Sequence, residues 1–293
     1  MLARLVIASL LLELAVYAAA GAWLWAVPLA LGIRLALVCF TMTIGWIAAS
    51  PRAPGQRIGL PGTLRLVLGE WRTMLLDNFA YLPFERWATR PDPVLAPGGA
   101  LPILLCHGYM TNRGYFRPLV RGLEAAGIGP ILVPNFRAVF SNIETYADEL
   151  EVAIERVAAQ GGHGRVVLVC HSMGGLAARE YLRRRGGARI ARLVTIASPH
   201  HGTVVASLGV GKNAVQMKRG SDFLASLAEW ERSHPPEIAA TSIYSCHDNL
   251  VVPQDTSRLP WARNVALPGL GHIDIIGSKQ LLEVLLAELR AAA

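Results

Sequence analysis

Two hydrophobic rhythms divide the chain. From Leu5 to about Val27, and again from about Leu29 to Ala49, nearly every residue is apolar, with Glu13 interrupting the first run and Arg34 near the start of the second. A helix crosses a hydrocarbon core with roughly 20 residues, so residues 1–50 are expected to form a transmembrane helical hairpin. A cleaved signal peptide is the rival, because Ala18-Ala19-Ala20 resembles a cleavage site; Glu13 and the second run directly afterwards argue against it. Arg4 precedes the first run, and Arg52, Arg57, Arg65 and Arg72 follow the second, a distribution that puts both ends of the hairpin in the cytoplasm.

Residues 51–99 read as a linker followed by an amphipathic, membrane-proximal helix. Pro51 to Gly62 is rich in proline and glycine. Leu64, Val67, Leu68, Trp71, Leu75, Phe79 and Leu82 then recur at helical spacing, with Arg65, Glu70, Arg72 and Asp77 on other faces. Such a helix suits either a membrane interface or packing against the next domain. Pro91-Asp92-Pro93 and Pro97-Gly98-Gly99 close the region.

From about Ala100 the rhythm changes to short apolar runs alternating with helical periods. Strands are expected at Leu101–Cys106, Ile131–Val133, Arg165–Val169, Arg192–Ala197, Thr241–Cys246 and Asn264–Leu267. Helices are expected at Arg113–Ala126, Asn142–Ala159, from Leu176 onward, and from Gly277 to about Arg290. Residues 100–293 therefore predict an α/β fold, a mostly parallel sheet with helices on both faces, interrupted over 201–240 by a mainly helical, cap-like insertion.

Composition sharpens the first half of this picture. The 293 residues are 53% hydrophobic and 17% charged, greasier than a soluble domain of that length, and the formal net charge is +7. With no stacking-aromatic or nucleic-acid motif, the basic balance is assigned to membrane contact and solvated faces, and no nucleic-acid partner is expected. Cys39, Cys106, Cys170 and Cys246 show no C-x-x-C spacing and are expected to be buried free thiols. Nothing in the sequence sets an oligomeric state.

The chemistry centres on Cys170-His171-Ser172-Met173-Gly174-Gly175, which joins an expected strand to an expected helix. Such a turn exposes a serine hydroxyl beside a helix N-terminus. A serine needs a base, and the base an orienting carboxylate. In a doubly wound hydrolase sheet these follow in the order serine, acid, histidine, each after a later strand. Asp248 follows the strand ending at Cys246, and His272 the strand ending at Leu267; Asp255 and Asp274 are competing acids less well placed. The backbone N–H groups of Met173 and Tyr109 are the expected oxyanion donors. His107 is read as a loop organiser, His171 as the variable position of the turn, and His200 and His201 as a poor metal pair shaping the rim.

At these positions the chain resembles the bacterial α/β-hydrolase lipases and esterases, a class that includes small lidless lipases, over about Pro102 to Leu285. LLCHGYMTNRG, VCHSMGGLAARE, IASPHHGT, TSIYSCHDNLVVP and ARNVALPGLGHIDII carry the resemblance. It implies Ser172 as nucleophile, Asp248 as acid, His272 as base, Tyr109 and Met173 as oxyanion donors, and no cofactor. It also tolerates Cys170 in place of the first glycine of G-x-S-x-G. The segment from Gln216 to Leu224 is similar to the cap of larger lipases. Asp274 matches one position of a calcium site in some relatives, but without further ligands no metal is expected. The expectation is a serine hydrolase of apolar or acyl-lipid esters, held at a bacterial inner membrane with its catalytic domain in the cytoplasm. An acyltransferase using the same triad and a non-catalytic membrane scaffold are the alternatives.

Overall fold

A computed structural model describes residues 1–96 and 98–291; Pro97 of the expected Pro97–Gly99 turn, Ala292 and Ala293 lie outside it. The apolar runs become α1 (Leu2–Ala19) and α2 (Ala26–Ile47), joined through a short turn at Trp23–Trp25. Both are long and apolar enough to cross a membrane. Next come α3 (Gly59–Leu76), which runs into a π-helical turn over Asp77–Tyr81, and α4 (Glu85–Ala88). The helix expected from Leu64 thus starts earlier and takes in the end of the proline-glycine stretch. The four-residue α4 was not anticipated.

The α/β region follows as β1 (Ile103–Cys106), α5 (Arg117–Ala125), β2 (Ile131–Leu132), α6 (Ile143–Gly161), β3 (Val166–His171), α7 (Met173–Arg185) and β4 (Ile190–Ile196). The 201–240 stretch contains α8 (Lys212–Gln216) and α9 (Asp222–Ser233), and β5 (Ala240–Ser245), β6 (Arg263–Leu267) and α10 (Lys279–Arg290) complete the order. Local chemistry sets several helix starts. Asn142 Oδ1 accepts from Thr145 N–H at 3.0 Å before α6, and Ser278 Oγ accepts from Leu281 N–H at 3.1 Å before α10.

All six strands pair in parallel, in the order β2-β1-β3-β4-β5-β6. β3 is buried at every position, as a strand covered on both faces must be, and its side chains divide by the period of two. Leu168 and Cys170 pack with Leu104 against α6 and α7, whereas Val167 and Val169 pack with Leu105 against α5 and α10. The insertion is fixed to this core by a buried ion pair, Arg179 Nε to Glu231 Oε1 at 2.7 Å, which ties α9 to α7.

The N-terminal helices lean on the domain. Val38 and Met42 of α2 pack with Leu66 of α3, and Trp71 Nε1 donates to the Leu31 carbonyl at 3.1 Å. Within the hairpin, Arg34 makes a two-pronged pair with Glu13 at 2.9 and 2.8 Å. The four cysteines are free; Cys106, Cys170 and Cys246 are buried, but Cys39 is exposed because it lies on the face of α2 turned away from the domain.

Candidate active site

β3 ends at His171, and Ser172 turns the chain into α7 with φ 54° and ψ −127°. A left-handed φ in a non-glycine residue costs about 1–3 kcal/mol and persists only where the surroundings impose it. Here they do so by tight packing. A methyl group on Gly108 would stand 2.8 Å from Ser172 Cβ and 2.9 Å from the His171 carbonyl oxygen, and one on Gly174 would stand 2.7 Å from that of Cys106. The loop after β1 and the turn after β3 are therefore pressed together, and only glycine permits the approach. Cys170 meets no such restriction: its side chain enters the helix-facing core beside Cys106. Burial pushes its thiol well up, which keeps it protonated.

The three residues singled out from the strand ends converge. Ser172 Oγ lies 3.1 Å from His272 Nε2, and His272 Nδ1 lies 2.8 Å from Asp248 Oδ2. The other oxygen of Asp248 accepts the N–H groups of Leu250 and Val251, each at 2.7 Å, so the carboxylate is locked by its own loop. Burial of His272 pulls its pKa down most strongly, but the charge and hydrogen bond of Asp248, helped by Glu70, outweigh it, and the net shift is upward.

The competing acids are engaged elsewhere. Asp255 Oδ1 accepts from Ser50 Oγ at 2.7 Å, and Asp274 Oδ1 from Thr73 Oγ1 at 3.1 Å. Met173 carries the first N–H of α7, outside the helix's own ladder of bonds, and Gly108 brings the Tyr109 loop against it. His107 braces that loop: its Nε2 accepts from Phe136 N–H at 3.1 Å, and burial lowers its pKa to about 4. His171 is buried below His272, its Nε2–H donating to the His272 carbonyl at 3.1 Å. His200 and His201 do not form a pair; His200 is buried with Nε2 3.0 Å from Thr195 Oγ1, while His201 is exposed.

Around Ser172 lies a cavity of about 410 Å³, walled mainly by apolar side chains. Val205, Leu208 and Met217 come from the insertion, and Met74 from α3. Leu37 and Phe40 come from α2, which no motif or spacing links to the site.

Three further polar residues were missed. Glu70, read as part of the polar side of α3, is 0% exposed, and its carboxylate accepts from Asp274 N–H at 2.9 Å and from Ile273 N–H at 3.2 Å. It holds the backbone directly after His272. Burial raises its pKa most, the two N–H bonds and His272 oppose this, and the result is about 7. Asn249 accepts from His272 N–H at 3.0 Å and donates to Thr41 of α2 at 2.8 Å. Gln254 bridges the Gly45 and Asp248 carbonyls at 3.1 and 2.8 Å. Each has a partner some 200 positions away, beyond the reach of motif spacing.

Parallel sheet, flanking helices and a serine at the tight turn after the third strand define the class. Residues 103–281 match the alpha/beta hydrolase family, and the chain belongs to it. A triacylglycerol lipase of Pseudomonas fragi is 33% identical over 110 residues, which cover 36% of this chain and 36% of that protein, so the match spans about a third of that relative's length. Among solved structures, the mature lipase BlEst2 of Bacillus licheniformis superposes with TM-score 0.59 at 18% identity, covering 68% of this chain and 96% of that one. Lipase B of Aspergillus fumigatus gives TM-score 0.58 at 17% identity, covering 66% of this chain and 53% of that one. These two likenesses are of fold.

Proposed function

We propose that the chain is a serine hydrolase of carboxylic esters with apolar acyl groups, acting through an acyl-enzyme. The observation that carries this reading is the unbroken line from Ser172 Oγ through His272 to Asp248, opening into an apolar cavity.

In this reading His272 Nε2 takes the Ser172 proton as the hydroxyl oxygen attacks the ester carbonyl. Negative charge develops on the carbonyl oxygen, where the N–H groups of Met173 and Tyr109 meet it without having to reorganise. Asp248, held by the Leu250 and Val251 N–H groups, keeps Nδ1 protonated and stabilises the imidazolium. His272 returns the proton to the departing alcohol, then deprotonates a water that frees the acid. The apolar wall suits an acyl chain rather than a charged acid, and the likeness to a triacylglycerol lipase points the same way. The two N-terminal helices associate the enzyme with a membrane in this account, since their composition suits lipid.

Ser172→Ala tests the assignment. Hydrolysis of p-nitrophenyl esters should fall by roughly 10⁴-fold or more in kcat, with folding intact by circular dichroism. Undiminished turnover in that variant overturns the reading.

A further inference from the structure

The N-terminal hairpin does not stand free of the protein along its length. Leu2 of α1 is buried, and Val6 packs against the core cluster that contains α5 and α10. From Leu31 to Gly45, α2 is engaged by Trp71, Leu66, Asn249 and Gln254. Beyond these contacts the hairpin protrudes, and Leu14–Ile33 is a run of twenty residues without a formal charge. The Glu13–Arg34 pair bounds it, and its tip, Trp23-Leu24-Trp25, is 68, 70 and 65% exposed.

Length decides how far this end reaches. Trp25 lies nine residues from Arg34, about 14 Å at ~1.5 Å per residue. Half of a hydrocarbon core of ~30 Å is about 15 Å. The uncharged tip therefore fits one leaflet, with the ion pair at the hydrocarbon boundary, whereas a spanning hairpin would carry that pair into the core, where charges are costly. Leu60, Leu64 and Leu68 form an exposed stripe along α3, whose opposite side holds the buried Leu66 and Glu70. An apolar stripe turned away from the domain also suits lipid.

We propose that α1, α2 and the outer stripe of α3 form a monotopic membrane seat that enters a single leaflet, with the mouth of the Ser172 cavity at the lipid interface. Leu37 and Phe40, 48 and 53% exposed, lie on the water side of the ion pair, in the layer where the ester bonds of acyl lipids sit between chains and headgroups. An acyl chain then passes sideways from the leaflet, along α2, to Ser172. This last step rests on the ester-hydrolase reading; the depth of the seat does not.

The full chain, reconstituted in phosphatidylethanolamine–phosphatidylglycerol vesicles, tests both parts. In a Cys39→Ser background, Trp23→Cys is exposed to a membrane-impermeant maleimide added outside or enclosed within, with Ser226→Cys on α9 reporting the side of the catalytic domain. The seat predicts labelling of Trp23→Cys about tenfold slower than Ser226→Cys from either side, and release of this protection by detergent. Labelling from the side opposite Ser226→Cys overturns the proposal in favour of a spanning hairpin, in which the tip tryptophans mark the far interface. Labelling from the same side as fast as Ser226→Cys without detergent also overturns it, placing the tip in water. For the cleft, Phe40→Ala should lower the ratio of long-chain to short-chain ester turnover about fivefold, and an unchanged ratio removes α2 from the acyl path. Absence of any ester turnover in the parent protein would sink the hydrolase reading while leaving the labelling result intact.

Discussion

At the residue scale the central quantity is the protonation of His272. Burial favours the neutral ring, but Asp248 and Glu70 favour the imidazolium more, so the folded pKa stands above the ordinary 6.5. The sign follows for activity and stability alike. A base must be neutral, so kcat/KM should rise with pH on an acid limb whose midpoint lies above 6.5. The stabilisation from the protonated ring is complete below the unfolded value and is lost as pH rises through the folded one. A pH–rate profile checks this, and an acid limb centred below 6.5 contradicts it. The convergence of Ser172, Asp248 and His272 was legible in the sequence because each lies at or just beyond a strand end, and parallel strands bring such ends to one edge of a sheet. Cys170 was legible as an irregularity, and its tolerance follows from where its side chain points: into the helix-facing core, away from the Gly108 loop.

At the element scale α3 acts on the site through Glu70. Its helical wheel was legible, but which side faced the protein was not: the polar side packs on the loop after His272, and the leucine stripe looks outward. Amphipathicity alone assigns the apolar side inward, and that inference fails where the helix meets a polar loop on one side and the other suits lipid. Glu70→Gln replaces one acceptor oxygen by a donor against two N–H groups, which should cost roughly 1–3 kcal/mol. Removing a charge that raises the His272 pKa should also move the acid limb to lower pH. Because the Glu70 pKa is raised to about 7, ionisation weakens the wild-type fold as pH climbs from 4.5 through about 7, and the stability gap to Glu70→Gln should narrow over that window. Chemical denaturation at several pH values, with the pH–rate profile, measures both; a gap constant with pH and an unmoved limb contradict the role given to Glu70.

At the scale of the whole molecule, the sequence separated an apolar N-terminus from a parallel α/β domain, and the fold of that domain is as expected. Its strand order was not legible, because alternation specifies parallel pairing without saying which strands are neighbours. The union of the two parts was hidden for the same reason. Thr41–Asn249, Gly45–Gln254 and Glu70–Asp274 each join residues some 200 positions apart, so the hairpin and α3 form part of the wall of the Ser172 cavity rather than a detachable anchor. The central claim remains that Ser172 is the activated nucleophile of this assembly. Reaction of the full-length protein with a fluorophosphonate, followed by peptide mass mapping, tests it most directly. The account predicts one adduct, on the peptide containing Ser172, formed in step with loss of esterase activity; inactivation with the adduct on another residue, or full activity with Ser172 modified, would contradict it.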